Sequence, residues 1–193
     1  MSYYFTNDDN LKSDIKLTHA KINNLSFSFY TDNGVFSKKG LDFGTRTLLE
    51  TIPPLKGDIL DLGCGYGPIG IYIATFNKIV VDMIDINLKS LTLARKNALE
   101  NKVNVNIFES DAYTLINKKY DYIITNPPIR VGKKILYNLL FTAKNYLKDD
   151  GQLWLVISKD QGAKSLINDL EKAYQVEVKN KNKGFYVIMC KNN

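Results

Sequence analysis

Short apolar runs alternate with amphipathic segments along most of the chain. The runs, several of them rich in β-branched residues, end near residues 62, 85, 108, 125 and 157. The segments between them repeat their apolar residues every three or four positions, which is the spacing of a helix with one buried face. Near-continuous apolar strands that alternate with helices indicate a sheet covered on both sides. We therefore predict an α/β fold with a doubly wound, mostly parallel, seven-stranded sheet.

The two ends of the chain carry strand patterns without helices. Alternating apolar and polar residues over 16–30, with Asn23 and Asn24 in the middle, predict two strands joined by a turn. Segments 175–179 and 184–190 predict a hairpin that closes the sheet. We expect one overall domain, made of an N-terminal β extension and loop at 1–40 and the domain that carries the chemistry at 41–193.

The amphipathic segments also predict which side chains face the sheet. The second apolar strand is expected at 79–85 and a helix at 161–174. A helix at 87–101 is expected to bury five residues, which are Leu88, Leu91, Ala94, Ala98 and Leu99. A helix at 133–147 is expected to bury Ile135, Leu136, Leu139, Leu140 and Leu147.

A glycine-rich stretch at 61–70, DLGCGYGPIG, joins the first main strand to an apolar helix. Glycines permit a tight turn and a close approach of the backbone to a ligand, and the free amides of a helix start favour a carboxylate or phosphate. A Gly-x-Gly-x-x-Gly spacing begins at Gly65, and Asp85 lies about 20 residues further on, as in dinucleotide-binding folds. The other interpretation starts from Asp61, whose carboxylate would attract an ammonium or sulfonium and repel a pyrophosphate.

Polar residues follow each of the first four predicted main strands: Asp61, Asp85, Asp111 and Asn126. The carboxyl ends of parallel strands meet at one edge of a sheet, so one cleft can hold all four. Asp85 could accept two ribose hydroxyls and Asp111 an adenine amino group. Either aspartate alone could equally cap a helix or a turn, and their convergence with the glycine stretch favours a nucleotide-type ligand.

The tripeptide Asn126-Pro127-Pro128 directly follows the fourth strand. Two prolines cannot continue a sheet, and they fix the direction of the backbone carbonyls. An amine attached to a heteroaromatic ring is a poor nucleophile because its lone pair is delocalised. The Asn126 side-chain oxygen and the Pro127 carbonyl could accept its two hydrogens and stabilise the growing positive charge. The tripeptide alone could also be a purely structural loop.

These residues resemble the class I S-adenosylmethionine-dependent methyltransferases that act on nitrogen. The motifs that carry the resemblance are DLGCGYG at 61–67 and NPP at 126–128. With GVFS at 34–37, LDFGTR at 41–46 and GFYV at 184–187, the chain resembles the small-subunit (16S) ribosomal RNA guanine-N2 methyltransferases from about residue 33 onward. Longer members of that family carry a second, degenerate copy of the domain, which this chain does not show.

The resemblance implies an S-adenosylmethionine cofactor and a guanine N2 amine of small-subunit ribosomal RNA as the acceptor. Five residues are expected to hold the cofactor: Asp61, Gly63 and Gly65 at its methionine part, Asp85 at the ribose and Asp111 at the adenine. Asn126 and Pro127 are expected to position the target amine. Many nitrogen methyltransferases have an aromatic residue where this chain has Ile129, and we therefore expect Phe36 to stack on the target base.

Composition agrees with an RNA partner. The net charge is +6 and the pI about 9.1, which favours a polyanion. Most lysines are expected to be solvated surface, but five basic residues could hold phosphates: Lys38, Lys39, Arg130, Lys133 and Lys134. Two cysteines without metal-ligand spacing indicate neither a disulfide framework nor a metal site. The chain has no 20-residue apolar run and no signal-peptide pattern at its start, so we expect a cytoplasmic protein without a membrane segment.

Three alternatives remain open from the sequence. Glutamine methylation on a protein would use the same asparagine and proline geometry. A nicotinamide-dependent oxidoreductase would use the glycine spacing that begins at Gly65, although Asp61 and the Asn-Pro-Pro run argue against it. The third is an RNA-binding protein whose cofactor pocket is only structural.

Overall fold

The computed structural model describes residues 12–35, 37 and 39–192. The described strands are β1 (Lys16–Ile22), β2 (Leu25–Thr31), β3 (Ile59–Leu62), β4 (Asp82–Asp85), β5 (Asn106–Glu109), β6 (Tyr120–Thr125), β7 (Leu147–Ser158), β8 (Gln175–Asn182) and β9 (Phe185–Lys191). The α-helices are α1 (Phe43–Thr51), α2 (Pro68–Asn77), α3 (Leu88–Glu100), α4 (Lys133–Tyr146) and α5 (Ala163–Leu170). Short 3-10 helices cover Ile129–Val131 and Lys159–Gln161.

The main sheet has seven strands in the order β5-β4-β3-β6-β7-β9-β8. The strands from β5 to β7 are parallel, and β9 pairs antiparallel with both β7 and β8. The chain winds outward from β3 through β4 to β5, then returns to the other side of β3 with β6. This confirms the predicted doubly wound fold and places the switch point between β3 and β6, where ligands bind in such sheets.

Two hydrophobic clusters cover the two faces of the sheet. One joins α1, α2 and α3 to inward side chains such as Ile59, Ile124 and Val156. The other joins α4 and α5 to side chains that alternate with these along the strands, such as Leu60 and Ile123. Because strand side chains alternate between faces, residue 61 shares the face of Ile59 and lies under α2.

The N-terminal strands form a separate two-stranded antiparallel hairpin, with the turn at Asn23 and Asn24 as predicted. Its inner face joins the cluster that contains α2. The edge of β2 is covered by two side-chain amides of α3. Asn97 accepts from the Tyr30 amide at 2.6 Å and donates to the Tyr30 carbonyl at 3.0 Å, and Asn101 pairs with Ser28 in the same way.

Some predicted boundaries and faces were wrong. The second main strand begins at Asp82 and not at 79, because its neighbour β3 begins only at Ile59. The helix predicted at 161–174 is a 3-10 turn followed by α5, which ends at Leu170. Three residues expected to be buried are exposed: Leu88 (48%), Leu99 (80%) and Ile135 (56%). Leu99 and Ile135 each lie one position, or about 100°, from the buried residues Ala98 and Leu136.

The division of the chain at residue 40 stays a prediction. None of the helices in the described ranges has the length and hydrophobicity to cross a lipid bilayer.

Candidate active site at the carboxyl ends of β3 and β6

The glycine stretch and the Asn-Pro-Pro tripeptide leave the sheet side by side. β3 and β6 are parallel neighbours, with Asp61 opposite Ile124. The Thr125 hydroxyl donates to the Leu62 carbonyl at 2.8 Å and ties the last residues of the two strands together. The turn that starts at Gly63 and the carboxamide of Asn126 therefore lie on the same rim of the sheet, at its switch point.

The glycines of the stretch divide into two pairs with different surroundings. Gly63 and Gly65 have positive φ, +71° and +57°, and a Cβ at either position would meet no atom within 4 Å. At Gly67 a Cβ would lie 2.9 Å from Met83 Cε, and at Gly70 it would lie 2.5 Å from Met83 Sδ. The second pair thus allows α2 to pack closely on the sheet, whereas the first pair leaves open space at the turn.

Asp61 is fully buried under α2 at the end of β3. Its Oδ2 accepts from the Gly70 amide at 2.8 Å, whereas Oδ1 has no hydrogen-bond partner among the described residues. Burial raises the pKa of this carboxyl to about 8, partly opposed by the Gly70 N–H and reinforced by the charge of Asp85. A buried oxygen without a partner is costly unless a ligand supplies a donor.

Asp85 braces the glycine turn from the end of β4. Its Oδ2 accepts from the Gly65 amide and its Oδ1 from the Asn87 amide, each at 2.8 Å. Burial raises its pKa, against the effect of these N–H groups. A carboxylate has about four acceptor positions, so Asp85 can still accept from a ligand's hydroxyls.

Asp111 is exposed in the turn after β5, the strand beside β4. Its carbonyl accepts from the Thr114 amide at 3.1 Å. The structure therefore brings its backbone to the same rim as Asp85, and a contact of its carboxylate with a ligand stays a prediction.

The side chain of Asn126 is oriented by the start of α1. Its Nδ2 donates to Thr45 Oγ1 at 2.9 Å and lies 3.4 Å from Asp42 Oδ1. Asp42 caps α1 as predicted, accepting from the Thr45 amide at 2.9 Å. Because both α1 partners are acceptors, they fix which end of the carboxamide faces them and direct its oxygen away.

The contact of Asn126 with α1 was missed by the sequence analysis. Asp42 was predicted only as a helix cap, and Thr45 lies 81 residues from Asn126 in the chain. No local pattern connects residues so far apart. Two predictions fall outside the described part: Phe36 and Lys38 are not described, and neither is the side chain of Arg130.

The described residues offer no metal-binding set. None of their His, Cys, Asp and Glu side chains gather in groups of three or more that could hold an ion. Cys64, inside the glycine turn, and Cys190 are free and buried. Burial raises the pKa of the Cys64 thiol, so it is a poor nucleophile.

Comparison with known proteins identifies the family. The profile of the "methyltransferase small domain" family matches residues 26–189. The uncharacterized protein YbxB of Bacillus subtilis is 40% identical over 196 residues, which cover 98% of both chains.

Named relatives and solved structures agree. Ribosomal RNA small subunit methyltransferase C of Aliivibrio fischeri is 40% identical over 64% of this chain and 38% of its own length. The enzyme of the same name from Psychromonas ingrahamii is 32% identical over 91% of this chain and 52% of its own. The chain thus spans only about 40–50% of these enzymes. A T. thermophilus 16S rRNA N2 guanine methyltransferase, solved with AdoMet and guanosine, has the same fold, with a TM-score of 0.81, 22% identity and coverage of 93% of this chain and 51% of its own.

The site suits a ligand with a cationic group and neighbouring hydroxyls. The unpartnered oxygen of Asp61, the open space at Gly63 and Gly65, and the free acceptor positions of Asp85 are features of that kind. They do not suit a pyrophosphate, which the Asp61 carboxylate would repel. On the family match and the fold, this chain belongs to the methyltransferase small domain family and is an S-adenosylmethionine-dependent methyltransferase.

Proposed function

We propose that this enzyme methylates the exocyclic N2 amine of a guanine in small-subunit ribosomal RNA. The observation that carries the proposal is the orientation of Asn126. Thr45 and Asp42 accept from its amide nitrogen, so its oxygen is the atom left to accept from an acceptor amine. Relatives named for small-subunit ribosomal RNA methylation support the choice of RNA.

The cofactor supplies an electrophilic methyl group on a sulfonium. In the proposed arrangement Asp61 accepts from the ammonium of the methionine part through its unpartnered Oδ1. The open turn at Gly63 and Gly65 receives the same part of the molecule, because no side chain fills that space. Asp85 accepts the ribose hydroxyls, and Asp111 accepts the adenine amino group.

Asn126 Oδ1 and the Pro127 carbonyl are proposed to accept the two hydrogens of the target amine. Two acceptors hold the nitrogen lone pair toward the methyl group and stabilise the positive charge that grows on the nitrogen. A strong base next to the amine is then unnecessary, since the nitrogen becomes acidic only as the new bond forms.

The distribution of lysines supports a polyanionic substrate at this rim. At the amino ends of the strands, Lys118 and Lys148 form ion pairs with Asp82 and Asp121, both at 2.8 Å. Four exposed lysines at the carboxyl ends form no ion pair with any described residue: Lys134, Lys159, Lys181 and Lys183. Unpaired cations at the rim of the proposed active site attract phosphates. Lys39 and Lys133 are also exposed, and their contact with RNA stays a prediction.

The test uses labelled S-adenosylmethionine with separate small subunits, naked 16S rRNA and ribosomal protein. We expect label in RNA, recovered after nuclease digestion as N2-methylguanosine. Asn126→Ala should lower kcat on the order of 100-fold with unchanged cofactor affinity and thermal stability. Asn145→Ala, an exposed asparagine on α4, is the matched control. Label in protein glutamine would overturn the guanine target and leave the methyltransferase assignment intact.

A further inference from the structure

Two aromatic rings meet at the carboxyl rim of the sheet. Phe43 is the first residue of α1 and Phe185 the first of β9. Their ring centroids are 5.7 Å apart with an interplanar angle of 54°. Both rings are partly exposed, and Phe43 packs in neither hydrophobic cluster of the described residues. A ring that stabilises no core is available to contact another molecule.

Three elements fix the position of these rings. Phe185 lies opposite Ser158 at the end of β7, and the Lys159 amide donates to the Gly184 carbonyl at 2.6 Å. On the other side, Gly44 lets the Phe185 ring approach α1, since a Cβ there would lie 2.9 Å from Phe185 Cε1. The rings are therefore held by the fold and not by a loose loop.

The rings lie beside the candidate catalytic amide. Asp42 immediately precedes Phe43, and its Oδ1 lies 3.4 Å from Asn126 Nδ2. A nucleotide that contacts the rings would thus neighbour the residue proposed to hold the target amine. Ile129, at the position where many nitrogen methyltransferases have an aromatic residue, offers no such ring.

Two lysines supply positive charge around the rings. Lys183 Nζ lies 5.3 Å from the centroid of the Phe43 ring, and Lys181 Nζ lies 5.1 Å from the Tyr186 ring. Both lysines are exposed, and neither forms an ion pair with the described residues. Aromatic rings next to unpaired cations are the combination that binds single-stranded nucleic acid, with the rings stacking on bases and the cations on phosphates.

Resting on the proposed function, we propose that Phe43, Phe185, Lys181 and Lys183, here named the Phe43 corner, bind an unpaired nucleotide of the RNA strand that carries the target guanine. The base packs on the Phe43 and Phe185 rings. The flexible side chains of Lys181 and Lys183 hold the adjoining phosphates. The corner gives the strand a fixed position beside Asn126.

The test compares Phe43→Leu with the parent enzyme on methyl transfer to 16S rRNA. Leucine keeps an apolar side chain and removes the ring. We expect the KM for RNA to rise about tenfold, while the Kd for S-adenosylmethionine stays at the parent value. Phe76→Leu is the matched control, since Phe76 is an exposed ring on α2 that stacks on Tyr72.

The lysines are tested by salt dependence. Lys181→Ala with Lys183→Ala should flatten the plot of log affinity for single-stranded RNA against log salt by about 1.4, at roughly 0.7 for each phosphate contact. Lys56→Ala with Lys119→Ala, two exposed lysines before β3 and β6 on the opposite rim, should leave the slope unchanged.

The outcomes separate this inference from the proposed function. If the parent enzyme methylates RNA but Phe43→Leu and the lysine pair keep the parent KM and salt slope, the Phe43 corner binds no nucleotide and the function stands. If the parent enzyme labels no RNA, the proposed function is overturned and the corner with it. Phe185→Leu adds to the test only if it unfolds at the parent temperature, because Phe185 also contacts a core.

Discussion

At the scale of single residues, the carboxamide of Asn126 depends on acceptors supplied by another element. Thr45 Oγ1 is the closer one, at 2.9 Å, and it lies in the buried first turn of α1. An amide that lost this partner could rotate and present its NH₂ group to the substrate. Thr45 is therefore a positioning residue in the proposed mechanism.

We predict that Thr45→Val lowers kcat about tenfold, as expected for the loss of one orienting hydrogen bond. Valine keeps the shape, so the Kd for S-adenosylmethionine and the melting temperature should change little. Thr45→Ser should restore most of kcat. Thr47→Val is the control, since Thr47 is equally buried but its hydroxyl donates to the Phe43 carbonyl within the helix. Equal kcat for both valine variants would contradict the positioning role.

Asp61 predicts a pH dependence of cofactor binding. In the empty folded enzyme its pKa is raised to about 8 by burial, so the carboxyl holds a proton at neutral pH. An ammonium beside it favours the ionised form, and binding then releases that proton. Affinity for S-adenosylmethionine should rise between pH 6 and 7.5, by at most about tenfold per pH unit.

Calorimetric titration across this range measures the effect. Asp61→Asn should bind more weakly and lose the pH dependence. A Kd that is constant in the parent enzyme would contradict the proposed ion pair. The same raised pKa has a consequence for folding. Between pH 3.8 and about 8 the folded state keeps a proton that the unfolded state has lost, so this group's contribution to stability falls as pH rises.

At the scale of elements, α3 supports the glycine turn as well as the hairpin. Asn97 is fully buried, and its Nδ2 donates to the Tyr66 carbonyl at 2.8 Å in addition to its pairing with Tyr30. One side chain thus joins α3, β2 and the turn between β3 and α2. The hairpin is connected through it to the proposed cofactor site.

We predict that Asn97→Ala lowers the free energy of unfolding by about 3 kcal/mol, since it leaves buried backbone groups of Tyr30 and Tyr66 unpaired. Chemical denaturation measures this loss. Asn168→Ala, at an exposed position on α5, should change stability by less than about 0.5 kcal/mol. A loss at Asn97 no larger than that of the control would show that the amide contacts contribute little.

At the scale of the whole molecule, charge is arranged differently on the two rims of the sheet. The amino rim pairs its lysines with aspartates, and the carboxyl rim leaves lysines without ion partners among the described residues. The excess of positive charge is thus concentrated where the proposed RNA substrate binds. Net charge alone could not reveal this, because it does not say which lysines are paired.

Asp32, at the end of the hairpin, predicts how the whole molecule responds to acid. Burial alone would raise its pKa, but hydrogen bonds from Ser13 and Asp14 and the ammonium of Lys89, at 2.9 Å, lower it to about 2. A lowered pKa gives stability that is present above pH 3.8 and is lost as pH falls toward 2. The loss is at most about 2 kcal/mol.

Thermal unfolding of Asp32→Asn measures this term. The variant should melt below the parent at pH 6, and the two melting temperatures should converge as pH approaches 2. A gap that stays constant over this range would mean that the charge of Asp32 does not stabilise the fold.

Much of this arrangement could be predicted from sequence. The alternation of strands and helices, the hairpin turn at Asn23 and the cap at Asp42 are local signals, and all were confirmed. The predictions that were wrong concern the ends of strands and the edges of helical faces. Where β4 begins depends on its neighbour β3, and whether Leu99 is buried depends on what α3 packs against.

The sequence by itself determined the doubly wound sheet, the glycine turn and the family, because these follow from periodicity and from residues close together in the chain. Only the tertiary structure decided that Gly63 and Gly65 face open space while Gly67 and Gly70 pack on Met83. It also decided that Asn126 is oriented by Thr45 and that Phe43 meets Phe185. Those contacts join residues tens of positions apart, and strand register and helix packing, which no local pattern encodes, bring them together.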